Sequence, residues 1–327
     1  MALFAIFLSF NGVRADSFRV ECGLPIGANC AVQGVIAKHW PGAADLDLRH
    51  SQTLTKSALL LAVGRLEASV FLPASFSEMQ AGGGVYAVAP EKAKAAARSL
   101  RSLFSFVDGY NHILADASTS GGMRQTVQGN KVFIGPPSGS TLAAASVVLR
   151  SSTGGLEMGV DFEPVTMGWG AGQQAFAAGK VDVFVRPMPA GLPLIKGLSQ
   201  YRNLRLVGLS DEDIARMRAA GVFQFPGFAI GEIPGGTYPE IANANETVKA
   251  LAYSLVQTVN VAMSEQDAYE ITSAFWGNIQ AEKAGNPALA TLDPANPFPS
   301  LNVPRHPGAA RYYREQRIAI PENILPQ

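Results

Sequence analysis

Apolar positions along this chain switch repeatedly between two periods. Residues 17–22 alternate polar and apolar, the spacing of a half-buried strand, whereas Val32, Ile36 and Trp40 recur at helical spacing across 30–40. The alternation continues with a strand at 45–51, a helix at 53–63 that Thr53 can cap, a buried strand at 68–72 and a helix at 75–80. The alanine-rich stretch 91–98 favours a helix. Residues 100–107 and 110–115 read as two strands around Asp108-Gly109, a dipeptide typical of hairpin turns. Strands follow at 131–134, 161–166, 181–185 and 204–209, with helices at 141–150, 171–178 and 211–220. A strand near 248–261 leads to a long helix from Ser264 to about Lys283, opened by Ser264 with Asp267 three residues on. The Pro- and Asn-rich stretch 285–307 is expected as a surface excursion. The pattern predicts an α/β fold with largely parallel sheets.

Composition narrows the function. The chain has 327 residues, enough for two packed units at about 100–200 residues per domain. Its 26 Lys and Arg balance 26 Asp and Glu, so the surplus of basic residues that nucleic acid or an anionic membrane requires is missing. The opening run MALFAIFLSF is too short to span a bilayer. Followed by the small residues Val13 and Ala15, it fits a signal-peptide core with cleavage before Asp16, which implies an exported, soluble, periplasmic protein. Cys22 and Cys30 could close a small loop in an oxidising compartment. The expectation is nevertheless two half-buried free thiols, and no metal spacing accompanies them.

Catalytic signatures are absent from the sequence. His39, His50, His112 and His306 are scattered without metal spacing and read as structural, and neither G-x-S-x-G, H-E-x-x-H nor a P-loop occurs. No cofactor is implied. What recurs is a small, Gly-containing loop that runs from a strand into a helix, at 24–30, 51–56, 72–75, 136–141 and 168–172. Free backbone N–H groups at such helix starts, with Ser and Thr hydroxyls, bind carboxylate or phosphate oxygens without any reacting group. That device points to a small-anion or zwitterion site.

Three runs carry a family resemblance: Ile134-Gly-Pro-Pro-Ser-Gly-Ser-Thr, Gly231-Glu-Ile-Pro-Gly-Gly-Thr-Tyr-Pro and His306-Pro-Gly-Ala-Ala-Arg-Tyr-Tyr-Arg-Glu. They resemble those of TAXI-type receptors, the extracytoplasmic solute-binding subunits of TRAP transporters, over most of 16–316. The resemblance implies a two-lobed periplasmic-binding-protein fold (type II-like) with a central ligand cleft, no catalysis, and delivery of a captured solute to membrane permease subunits. Lobe 1 would hold residues 16–125 plus 238–327, and lobe 2 residues 126–237. The family's first loop carries paired tyrosines, whereas this chain reads Gly23-Leu24-Pro25-Ile26-Gly27-Ala28-Asn29-Cys30; in the second loop Lys56 stands where an Asn is usual.

The expected ligand-binding set follows. Ser138, Gly139, Ser140 and Thr141 open a helix after a hydrophobic strand. Arg186 ends the buried strand 181–185, where a guanidinium can grip a carboxylate bidentately; a surface salt bridge is the plain alternative. Asn29 and Cys30 in the first loop, Thr53 and Lys56 in the second, and Trp169 as a cleft wall complete it. The expected solute is a carboxylate-bearing small molecule, an organic acid or acidic amino acid. An enzyme (transferase or lyase) on the same fold would need Lys56 or Cys30 as its reactive group, and a ligand sensor for a signalling partner is the third possibility.

Overall fold

The computed structural model describes residues 17–22, 27–43, 46–49, 53–137 and 140–326. The expected signal peptide, Ser138 and Gly139 therefore lie outside the described residues. The strands are β1 (Phe18–Glu21), β2 (Leu46–Arg49), β3 (Ala68–Phe71), β4 (Leu100–Asp116), β5 (Lys131–Phe133), β6 (Glu163–Val165), β7 (Val183–Met188), β8 (Leu204–Leu206), β9 (Phe228–Ile233) and β10 (Val248–Asn260). The helices are α1 (Ala28–His39), α2 (Leu54–Ala62), α3 (Pro73–Ala81), α4 (Pro90–Arg98), α5 (Met123–Val127), α6 (Ser140–Ser152), α7 (Trp169–Ala177), α8 (Leu194–Ser199), α9 (Asp211–Ala219), α10 (Glu265–Gly285) and α11 (Pro307–Glu315). None is long and apolar enough to cross a membrane.

One sheet runs through the molecule in the order β2-β1-β3-β10-β4-β7-β5-β6, with β8 also on β4 and β9 also on β10. Both ends are parallel, β1 pairing β2 and β3 at one and β5 pairing β6 and β7 at the other. The middle is antiparallel, because β4 and β10 run against each other and against β7 and β3. The expectation of largely parallel sheets thus holds only toward the edges.

The buried apolar residues divide in step with the sheet. Two clusters draw on residues up to Phe106 and from Tyr253 onward; the other two draw on residues from Ile113 to Leu251. The result is a mixed α/β molecule of two lobes, between which the chain passes once in β4 and once in β10.

Three sequence expectations need correction. Asp108-Gly109 is not a hairpin, because β4 continues straight through it for 17 residues. Gly109 is required by packing instead: a Cβ there would lie 2.2 Å from the backbone oxygen of Met188 in β7. Nor is the stretch after α10 a surface excursion. Leu289, Leu292 and Val303 are buried, and Pro297 and Pro304 accept hydrogen bonds from Ser105 and Ser102 N–H at 2.9 and 2.8 Å, covering an edge of β4. Proline lacks a donor but keeps its carbonyl, so a Pro-rich segment can cap a strand edge without extending the sheet. Finally, Cys22 and Cys30 are not free thiols but form a disulfide that ties the end of β1 to the start of α1. Ser264 caps α10 as its sequence suggests, accepting from Asp267 N–H at 3.0 Å.

Candidate functional site

The site grows from one irregularity where β4 and β10 pass between the lobes. Tyr253 pairs with Gly109 while the next residue, Ser254, pairs with Val107, so Asp108 is the extra residue of a β-bulge. A bulge re-aims a side chain that the regular pleat would send elsewhere. The Asp108 side chain is buried, and its Oδ1 has no hydrogen-bond partner. Burial pushes its carboxyl up to about 6, against the pull of hydrogen bonds from the Tyr253 side chain and from the backbone and side chain of Asn29. Asn29 is the second residue of α1, so the positive end of that helix faces the carboxylate. The Cys22–Cys30 disulfide anchors this helix start.

Arg186 supplies the opposite charge. It lies in β7 opposite His112, only 4% exposed, with its guanidinium carbon 4.8 Å from the centre of the Trp169 ring and its Nε unpartnered. Among the described residues it makes no ion pair. Burial lowers its pKa to about 10, which leaves it charged at neutral pH. Tyr253 links the two groups electrostatically. Its phenol is raised well above its ordinary value, first by burial, then by the charge and hydrogen bond of Asp108, with Arg186 opposing.

Around Arg186 the framework is rigid and neutral. Gly191 N–H donates to the Tyr238 hydroxyl at 3.0 Å, and that hydroxyl lies 2.8 Å from His112 Nε2. His112 Nδ1 is 3.0 Å from the Tyr110 carbonyl, which assigns it the proton and leaves Nε2 to accept from Tyr238. Burial, aided by the charge of Arg186, depresses His112 to about 4, so it is uncharged at physiological pH. His112 and Tyr238 thus form a neutral hydrogen-bonded pair.

The expected site residues separate into groups. Asn29 meets Asp108, Trp169 meets Arg186, and Tyr253 is the side chain that feels both charges. Trp169 is the first residue of α7, half-buried and edge-on to Phe133. Arg186 is no surface salt bridge. Cys30 is buried with its sulfur in the disulfide, so it offers no thiol. Thr53 precedes α2 without capping it through its side chain and instead lies 3.0 Å, Oγ1 to Oγ1, from Thr55. Lys56 is exposed on the same helix. Ser140 and Thr141 open α6, but their side chains are outside the described set.

Sequence reasoning missed Asp108 and Tyr253. Asp108 was legible as the one carboxylate inside Leu-Phe-Ser-Phe-Val-Asp-Gly-Tyr-Asn-His-Ile-Leu-Ala, an otherwise uncharged run apart from its histidine. A buried charge in such a run is rarely placed there for packing.

The model of the NMT1-like family matches residues 66–316 of the chain. Among solved structures, a protein of Bordetella bronchiseptica matches with a TM-score of 0.51 at 12% identity, covering 95% of this chain and 86% of that one. A TRAP periplasmic solute-binding protein from Sulfitobacter with bound β-D-galacturonate matches at a TM-score of 0.47 and 10% identity, over 83% of each chain. The alkanesulfonate-binding protein SsuA from Xanthomonas axonopodis, bound to MOPS, matches at 0.46 and 15%, over 94% of this chain and 96% of that one. The likeness to the Bordetella protein is one of fold alone.

Proposed function

Because the chain belongs to the NMT1-like family, we propose that it is an extracytoplasmic solute receptor that captures a small carboxylate between its lobes. The supporting observation is the pair of buried charged side chains, Asp108 and Arg186, each with an unpartnered polar atom, on strands at the crossing. Protein interiors seldom leave such atoms unsatisfied, since each costs about 1–3 kcal/mol. A ligand that supplies the partners recovers that energy and shifts the population toward a closed form.

On this reading Arg186 grips a carboxylate over Trp169, and Asn29 positions Asp108. The start of α6, at Ser140 and Thr141, would add N–H donors from the lobe that carries Arg186. The lobe boundaries would fall inside β4 and β10, near Asp108 and Tyr253, because residues 113–127 and 238–251 contribute to the cores of the middle segment. The protein would be exported to the periplasm and would hand its solute to the membrane subunits of a TRAP-type transporter. Catalysis is disfavoured, since the proposed nucleophile Cys30 is held in a disulfide and Lys56 is exposed.

Thermal unfolding of the purified protein against a panel of organic acids and amino acids tests the reading. A saturable rise in Tm with at least one carboxylate, lost in Arg186→Gln, is expected. No shift with any member of the panel would sink it.

A further inference from the structure

Arg186 alone would suffice to hold a carboxylate, so Asp108 demands its own explanation. A carboxylate that only braced the fold would have both oxygens satisfied, and a neutral amide could serve in its place. Instead β4 carries a bulge at the position of Asp108, the side chain is buried, and Oδ1 is left without a partner. No cation of the chain pairs with it among the described residues. Asn29 and Tyr253 hold the group, and Tyr253 is the side chain that also senses Arg186. The site therefore presents one spare cationic donor and one spare anionic acceptor around a single phenol. A plain carboxylic acid would satisfy the first and leave the second buried and unpaired.

We propose that Asp108 sets the specificity of this site, and that the solute is a hydroxy- or amino-carboxylate whose hydroxyl or ammonium donates to Asp108 Oδ1 while its carboxylate meets Arg186. The inference rests on the solute-receptor reading above and narrows it from carboxylates in general to those that carry a donor. A site built to hydrogen-bond a ligand donor rejects the analogue lacking it far more strongly than an apolar pocket rejects a missing methylene. The reason is that the analogue strands the site's own polar atom.

Calorimetric titration with matched pairs tests the proposal: malate against succinate, lactate against propionate, glutamate against glutarate. The wild-type protein is expected to favour the donor-bearing member of the pair it binds by about 100-fold or more. In Asp108→Asn that preference should shrink to within about threefold, while the affinity for the donor-less member changes little. Whether the hydroxy or the amino member binds more tightly identifies the donor. Tyr253→Phe, which keeps the carboxylate but removes the phenol that orients it, should reduce the preference several-fold and serves as the second variant if Asp108→Asn does not fold. Equal affinity for the two members in the wild-type protein, or a preference that survives both substitutions, overturns the role of Asp108 and leaves the receptor reading standing. An absence of binding for every acid overturns both.

Discussion

Arg186 and Arg305 are both buried without a carboxylate partner among the described residues, and they solve the same problem in different ways. Arg305 lies between two rings, 4.1 Å from the centre of Phe298 and 5.0 Å from that of Tyr313, and donates through Nη1 to the Leu103 carbonyl. It is 0% exposed. Arg186 rests on one ring, Trp169, and faces Tyr253 and, through it, the carboxylate of Asp108. Burial lowers both to about 10, so both remain cationic at neutral pH. The neighbours differ. Arg305 is enclosed by elements of a single lobe, between two aromatic faces and a backbone carbonyl, with its Nε and Nη2 unpartnered. Arg186 stands beside the strand crossing, next to a phenol that also interacts with a buried carboxylate. A buried cation reads as a fastener in the first setting and as a receptor in the second.

Substituting each arginine should separate these roles. Arg305→Ala removes a large buried side chain and two cation–π contacts, and is expected to destabilise by about 3–5 kcal/mol. Arg305→Met keeps most of the volume without the charge and should lose markedly less. Neither should change solute affinity in the protein that remains folded. Arg186→Gln should do the reverse, weakening carboxylate binding by about 100-fold with a change in chemical-denaturation stability below about 1 kcal/mol. Equal losses of stability from the two substitutions would erase the distinction.

The two surroundings should also respond differently to pH. The buried group facing Arg186 through Tyr253 is Asp108, and the one paired across the strand is His112, itself bounded by Tyr110 and Tyr238. The folded pKa of Asp108 is raised, from 3.8 to about 6, so its contribution is most favourable below pH 4 and is lost as pH rises through 6. His112 is lowered, from 6.5 to about 4, so its contribution is full above 6.5 and is lost as pH falls toward 4. These opposing trends should flatten the wild-type profile between pH 4 and 6. Asp108→Asn removes one of them. It is expected to be more stable than wild type at pH 7.5, by up to about 3 kcal/mol, with the gap closing near pH 4. A gain in stability coupled to a loss of ligand discrimination is what a functional carboxylate gives and a structural one does not. Denaturant titrations of both proteins at four or five pH values measure the gap directly.

The disulfide reaches only one of the two arginine sites. Cys22 and Cys30 hold the start of α1, and hence Asn29, against the end of β1. Replacing both by Ser should destabilise by about 2–3 kcal/mol, the magnitude for closing a loop of this length. Affinity should fall as well, because Asp108 loses a fixed donor, whereas the packing around Arg305 should be untouched. Hydrogen exchange that loosens at α1 but not at α11 would be the corresponding signature.

Much of this architecture is written in local periodicity. The strand and helix alternation and the cap at Ser264 follow from residues close together in the chain. What escaped depends on distant partners. Asp108-Gly109 carries the chemistry of a turn, yet Gly109 is there because the backbone of β7 approaches it, some 80 residues away in sequence. The Pro- and Asn-rich stretch after α10 looks like solvent-exposed loop because its polarity is local, while the β4 edge that it covers is supplied from far upstream. Trp169 was legible as a candidate by its place at the start of α7, and Arg186 from the end of the apolar run 181–185, although β7 continues through it to Met188. Asp108, their counterpart, was masked by a dipeptide whose local meaning is so strong.

The smallest expected effect concerns a third kind of cation. Lys56 departs from the pattern of TAXI-type receptors; its sequence position allows either a bias toward more acidic solutes or a side chain in solvent, and in the structure it is exposed on α2 while Asp108 and Arg186 are buried. In solvent an ammonium is screened, and its influence falls within about 10 Å at ordinary ionic strength. Lys56→Gln should therefore change stability by less than about 0.5 kcal/mol. Affinity should move by less than about threefold, and more at low salt than at high salt. A tenfold loss that persists at 0.5 M salt would mean that Lys56 folds into the bound state as a direct contact. The division between buried receptor charges and solvated surface charges would then have to be drawn for the ligand-bound form instead.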